Sequence, residues 1–174
     1  MKYIAVLAIV LSGCISPSAQ SSVDELPKEH AAAVTDYLAA NNDVRFRPQH
    51  RFSPDYLKFI TEELGKGFKL SYAAGDFNGD KVGDFAMLFL REGDAEASGA
   101  TSEEHSMDYP LRLVVFNAEA GGKFRVAFTQ DLMGPHAAHI RFADKRLNYG
   151  VFETDDMFYL VPEGKGYRPE VEEY

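Results

Sequence analysis

Apolar positions recur with a helical period in the first part of the chain and then alternate or run together from about residue 68. Between Lys28 and Ala40 an Ala-rich stretch sets Ala31, Val34, Tyr37 and Leu38 near one face, as a 3.6-residue period requires. Pro27 suits the first turn of that predicted helix, and Asn41-Asn42 closes it. A second helix is predicted from Ser53-Pro54, where Ser can cap the free amides and Asp55 sits at the positive end. Its apolar stripe is Tyr56, Leu57, Phe59, Ile60 and Leu64, and Gly65 suits the left-handed residue that ends a helix.

Beyond Phe68 the period shortens to that of strands. Predicted strands cover Lys69 to Ala74, Phe85 to Leu90, Leu111 to Asn117, Lys123 to Gln130, His139 to Ala143, Arg146 to Glu153 and Met157 to Pro162. Ala120-Gly121-Gly122, Asp144-Lys145, Thr154-Asp155-Asp156 and Gly164-Lys165-Gly166 are turn-forming interruptions. Arg91 to Asp108 is acidic, rich in Ser and Gly and without periodicity, which predicts a mobile segment. Helices first and strands afterwards predict an α+β fold, with two N-terminal helices followed by a six- or seven-stranded antiparallel meander sheet. The thirteen Phe residues fall mostly on these elements and are expected in the core. Tyr72, Tyr109, Tyr149 and Tyr167 are candidates for an exposed protein- or glycan-binding surface.

The amino terminus carries an address. Met1-Lys2 is a short positive region, and Tyr3 to Leu11 is an apolar run too short for a bilayer, which takes about 20 residues. Leu11-Ser12-Gly13-Cys14 follows and resembles the bacterial lipobox, which implies cleavage before Cys14 and a lipid on its sulfur. Ile15 rather than Asp comes next, and the resemblance to enteric-type sorting then implies the outer membrane. The expected organisation is a signal peptide at 1–13, a flexible polar tether at 14–24 and one domain at 25–174. Cys14 is the sole cysteine, so neither an internal disulfide nor thiol chemistry is available to the domain. A net charge of −9 opposes binding to nucleic acid and to anionic headgroups.

Gly75-Asp76-Phe77-Asn78-Gly79-Asp80-Lys81-Val82-Gly83-Asp84 lies between two predicted strands. Asp76, Asn78, Asp80 and Asp84 occupy positions 1, 3, 5 and 9 of this loop, and alternate positions of a tight loop can turn hard oxygens towards one cation. The same residue types also build metal-free turns, where they bond their own backbone. The stretch resembles the calcium loop of the FG-GAP/VCBS family, as carried singly by small bacterial lipoproteins. That resemblance implies Ca²⁺ held by Asp76, Asn78, Asp80 and Asp84 with the Val82 carbonyl. Lys81 stands where the family usually has Gly for a positive φ, and Met87 at position 12 departs from an EF-hand.

Motifs of hydrolases, nucleotide-binding proteins and zinc proteases are missing from the sequence. His136 and His139 have helical spacing, but Gly134-Pro135 before them and a strand after them favour a surface loop over a metal site. The basic run Arg45 to Arg51 has the charge to hold an anionic ligand, but such a run more often is a solvated connection or pairs with surface carboxylates, which is the expectation here. The leading expectation is a lipid-anchored, non-enzymatic envelope module with a structural calcium loop that engages a protein or glycan. The alternatives are a calcium-dependent envelope hydrolase, and an inhibitor or sensor of an extracytoplasmic enzyme that uses Arg91 to Asp108.

Overall fold

The structure, a computed structural model, describes residues 23, 25–47, 54–65, 68–91, 109–135, 137–152 and 157–171. The expected signal peptide, Cys14, nearly all of the tether, His136 and residues 92–108 lie outside the described residues, as do the side chains of Tyr56, Leu57 and Tyr109. The elements in order are α1 (Lys28–Ala40), β1 (Val44–Phe46), α2 (Pro54–Leu64), β2 (Tyr72–Gly75), β3 (Asp84–Arg91), β4 (Tyr109–Glu119), β5 (Lys123–Gly134), β6 (Ala138–Ala143), β7 (Arg146–Val151), β8 (Met157–Glu163) and β9 (Gly166–Val171).

The expected α+β meander is not what forms. The protein is mostly β, with two antiparallel sheets, and the strand β1 separates the two helices. One sheet runs β1-β3-β4-β5, with β2 beside β1 on the same edge of β3; the other runs β6-β7-β8-β9. Its strands stack on the first sheet instead of extending it. Ala86, Leu88, Leu90, Leu113 and Val115 from one sheet meet Ile140, Leu147, Tyr149 and Leu160 from the other in a shared core. One long sheet covered by two short helices would have left much of this apolar surface in water, at about 1.5–3 kcal/mol for each large side chain.

The chain turns from the first sheet to the second between Gly134 and Ala138. A Cβ on Gly134 would run into the Tyr149 hydroxyl, so glycine permits the close approach there. The Ala138 amide bonds the Pro135 carbonyl at 3.0 Å. Arg47 is buried and donates to the carbonyls of Ala138 at 2.7 Å and Pro135 at 3.4 Å. The basic run is therefore more than a solvated connection: one of its arginines staples the corner between the sheets.

Strand β3 is buried on both faces, with Phe85, Met87 and Phe89 turned to the side of α1 and Ala86, Leu88 and Leu90 to the second sheet. On α1, Val34 and Tyr37 pack on Phe85, Phe89 and Phe116. Ile60 of α2 packs with Leu64, Leu70, Phe68 and Phe152 in a separate small cluster. Gly65 ends α2 at φ 94°, as expected of a left-handed closing residue. Tyr149 and Tyr167, expected at the surface, are buried in the inter-sheet core.

Candidate functional site

The loop between β2 and β3 is organised by its own polar side chains. Asp76 accepts the Gly79 amide at 2.8 Å on one carboxylate oxygen and the Lys81 amide at 2.9 Å on the other. Asn78 accepts the Asp80 amide at 2.9 Å, and Asp80 accepts the Val82 amide at 2.8 Å and the Asn78 side-chain amide at 2.9 Å. Gly79 and Lys81 have φ of 79° and 69°. Lys81 thus takes the left-handed conformation that ordinarily favours Gly, and two accepting oxygens of Asp76 help to hold the strained turn. Its side chain is exposed and makes no ion pair with a loop carboxylate among the described residues.

Asp84 behaves differently from its neighbours. It is fully buried at the start of β3, where it accepts the Phe77 amide at 3.1 Å and, across the sheet, the Ala118 amide at 2.9 Å. Burial raises its pKa, and the bonds from Ala118 and Phe77 oppose that rise. Phe77 is pulled inward against Phe142 of β6, with ring centroids 5.1 Å apart. Beneath the loop, Tyr167 of β9 donates to the Asn117 side-chain oxygen at 2.7 Å, a buried bond that ties the second sheet to the first. Burial and the charges of Asp84, Asp80 and Asp76 push the Tyr167 phenol upward.

The donor chemistry fits calcium: three carboxylates, one amide oxygen and the Val82 carbonyl are hard oxygens. Each oxygen of Asp76 and Asp84 that accepts an amide retains a lone pair to offer. The structure brings Asp76, Asn78 and Asp80 together on the exposed turn and sets Asp84 beneath it. Among the described residues, no three His, Cys, Asp or Glu side chains converge as a metal-ligating group.

His139, expected in a surface loop, is instead buried in β6. It stacks on Phe152 at 4.3 Å between centroids and meets Phe68 edge-on at 5.8 Å. Burial lowers its pKa to about 4, opposed by a long bond to the Ala137 carbonyl and assisted by Arg141 and Arg47. Sequence reasoning also missed His30. Its ring stacks on Phe85 at 4.2 Å, meets Phe124 edge-on at 5.0 Å and shares a 2.9 Å hydrogen bond with the Tyr72 hydroxyl. Its position on the α1 face, four residues before Val34, was the available signal. Two concavities among the described residues lie away from the loop, one between α1 and β5 and one between β2 and β6.

Comparison with protein families, with curated proteins and with solved structures found nothing that matches this chain.

Proposed function

We propose that this is a bacterial envelope protein, anchored through lipid on Cys14, which works as a non-enzymatic interaction module with a structural calcium loop. Its expected membrane is the outer one, from Ile15 after the lipobox. Asp84 carries the reading of the loop. A carboxylate with zero exposure, committed to amides from Phe77 and Ala118, is a clasp between the β2–β3 hairpin and β4 and not a group that a substrate reaches. Its raised pKa has a structural cause in burial, so it does not favour the hydrolase alternative. A calcium ion held by Asp76, Asn78, Asp80 and the Val82 carbonyl, with Asp84 as the inner donor, would offset the repulsion among three clustered carboxylates. Bound only by the folded state, it would add RT ln(1 + [Ca²⁺]/Kd) to stability.

Thermal unfolding of the mature protein after chelation, with calcium or magnesium then titrated back, tests the reading. The expected result is a calcium-selective rise in Tm that Asp80→Ala abolishes. Equal melting with and without calcium would reduce the loop to a metal-free turn. Fatty-acid labelling lost in Cys14→Ser is the matching expectation for the anchor.

A further inference from the structure

We propose that Asn78-Gly79, in the loop between β2 and β3, is a deamidation site that the loop's own hydrogen bonds keep closed in the native state. Asparagine is among the chemically labile residues. The residue after it sets the rate, because that residue's backbone nitrogen is the nucleophile and glycine leaves it unshielded by a Cβ. Of the five asparagines in the chain, Asn78 alone precedes glycine. Gly79 is exposed, and among the described residues nothing lies within 4 Å of where its Cβ would stand, so water reaches the pair.

The reaction needs no partner but water. The Gly79 nitrogen gives up its proton and attacks the side-chain carbonyl carbon of Asn78. The bond from that carbon to the side-chain nitrogen breaks, and ammonia leaves with the proton. Water then opens the five-membered imide at either carbonyl, leaving aspartate or isoaspartate at position 78. Each reacting group is committed elsewhere in the fold. The Gly79 amide donates to Asp76 Oδ1 at 2.8 Å, so the nitrogen anion that attacks would form against a carboxylate. The leaving nitrogen, Asn78 Nδ2, donates to Asp80 Oδ2 at 2.9 Å, and Asn78 Oδ1 accepts the Asp80 amide at 2.9 Å. Residue 80 thus holds both ends of the side chain, which must let go before it can swing to the Gly79 nitrogen. Release of Asn78 and Gly79 is a local opening of the turn and does not require the sheets to unfold.

The change is one-way. Isoaspartate adds a methylene to the backbone between residues 78 and 79, which takes the Gly79 amide out of register with Asp76. Aspartate replaces the Nδ2 donor by an oxygen that faces the Asp80 carboxylate. Either product favours an open loop, so the site accumulates a record of loop opening. Asn117 and Asn148 lie in β4 and β7, ahead of Ala118 and Tyr149, whose side chains shield the nucleophile. The inference needs no calcium.

The test holds the mature protein in chelator at mildly alkaline pH, native in one arm and unfolded in guanidinium chloride in the other. Mass spectrometry follows the tryptic peptide Leu70–Lys81, with Asn78→Asp, which has no ammonia to lose, as the blank. The unfolded chain should convert Asn78 ahead of its other asparagines. The native protein should convert it about tenfold or more slowly, the factor expected when two hydrogen bonds must open first. In a folded Asp76→Ala protein, the freed Gly79 amide should bring the native rate most of the way to the unfolded rate. Asp80→Ala, which frees Nδ2, should do the same and serves where Asp76→Ala does not fold. Equal rates in the native and unfolded arms would overturn the gate, and an unfolded chain that keeps Asn78 intact would overturn the site. So would folded Asp76→Ala and Asp80→Ala proteins that both react as slowly as the wild type. Calcium is absent throughout, so failure here leaves the calcium-dependent Tm to be judged separately.

Discussion

His139 shows how one residue couples the fold to pH. Its imidazole is held neutral between Phe152 and Phe68, with a folded pKa near 4 against an ordinary value of 6.5. Above pH 6.5 both folded and unfolded states hold it neutral, and its stability contribution is fully present. As pH falls, the unfolded chain takes up the proton first, so stability is lost through this window until the folded form also protonates near pH 4. At about 1.36 kcal/mol per unit, the loss is roughly 3 kcal/mol. His30 is shifted in the same direction by burial and adds to the slope. The variant His139→Phe keeps a ring against Phe152 and should melt with a markedly flatter pH dependence between 6.5 and 4. A His139→Phe slope identical to that of the wild type would refute this role. Loop residues were legible because Asp, Asn and Gly there announce a turn. His139 and Arg47 were misread because their burial depends on which sheet covers them, and local pattern carries no record of that.

At the scale of elements, seven of the nine strands, both helices and the Ala31, Val34, Tyr37 and Leu38 face of α1 were legible from periodicity, whereas the faces of the strands were not. In β5, Phe124, Val126 and Phe128 alternate as though they shared one face. The register shifts there: Val115 opposes Phe128 and Phe116 opposes Val126, leaving Ala127 without a partner. This bulge changes parity, so Phe124 packs on the α1 side while Phe128 and Leu132 join the inter-sheet core. Strand β1 was missed because three residues in a basic run show no period. The meander expectation failed at Gly134-Pro135, since a short connection does not say whether the next strand pairs with the sheet or stacks on it. Where β2 crosses β6, the contact is tight enough to test. A Cβ on Gly75 would run into the Phe142 ring, although Gly75 has no positive φ to forbid a side chain. Gly75→Ala should therefore cost about 1–3 kcal/mol by overpacking. Trimming the obstacle in Gly75→Ala, Phe142→Leu should recover part of that loss; additive destabilisation in a double-mutant cycle would show that the two do not meet.

The whole molecule is layered, with α1 on the first sheet, the shared core beneath it and the second sheet below. β3 lies at the centre of that stack, buried on both faces and paired on both edges to β4 and to β1 and β2. The second helix stands outside this plan. Among the described residues its buried side chain is Ile60, backed by Leu64, Leu70, Phe68 and Phe152, while Phe59 is 39% exposed. Losing the Ile60 cluster and the Phe59–Phe152 ring contact, 6.2 Å between centroids, costs a few kcal/mol, below the 5–15 kcal/mol of a typical domain. We therefore expect α2 to open before the sheets unfold. Native-state hydrogen exchange should show residues 54–64 exchanging through a low-energy opening, with residues 85–90 and 111–117 protected to the global limit. His139 faces this same cluster through Phe68 and Phe152. Lowering the pH from 7 towards 5 should consequently speed exchange in α2 more than in β3, and His139→Phe should remove most of that difference. Uniform exchange of α2 and β3 at both pH values would mean that the helix and the sandwich unfold as one unit.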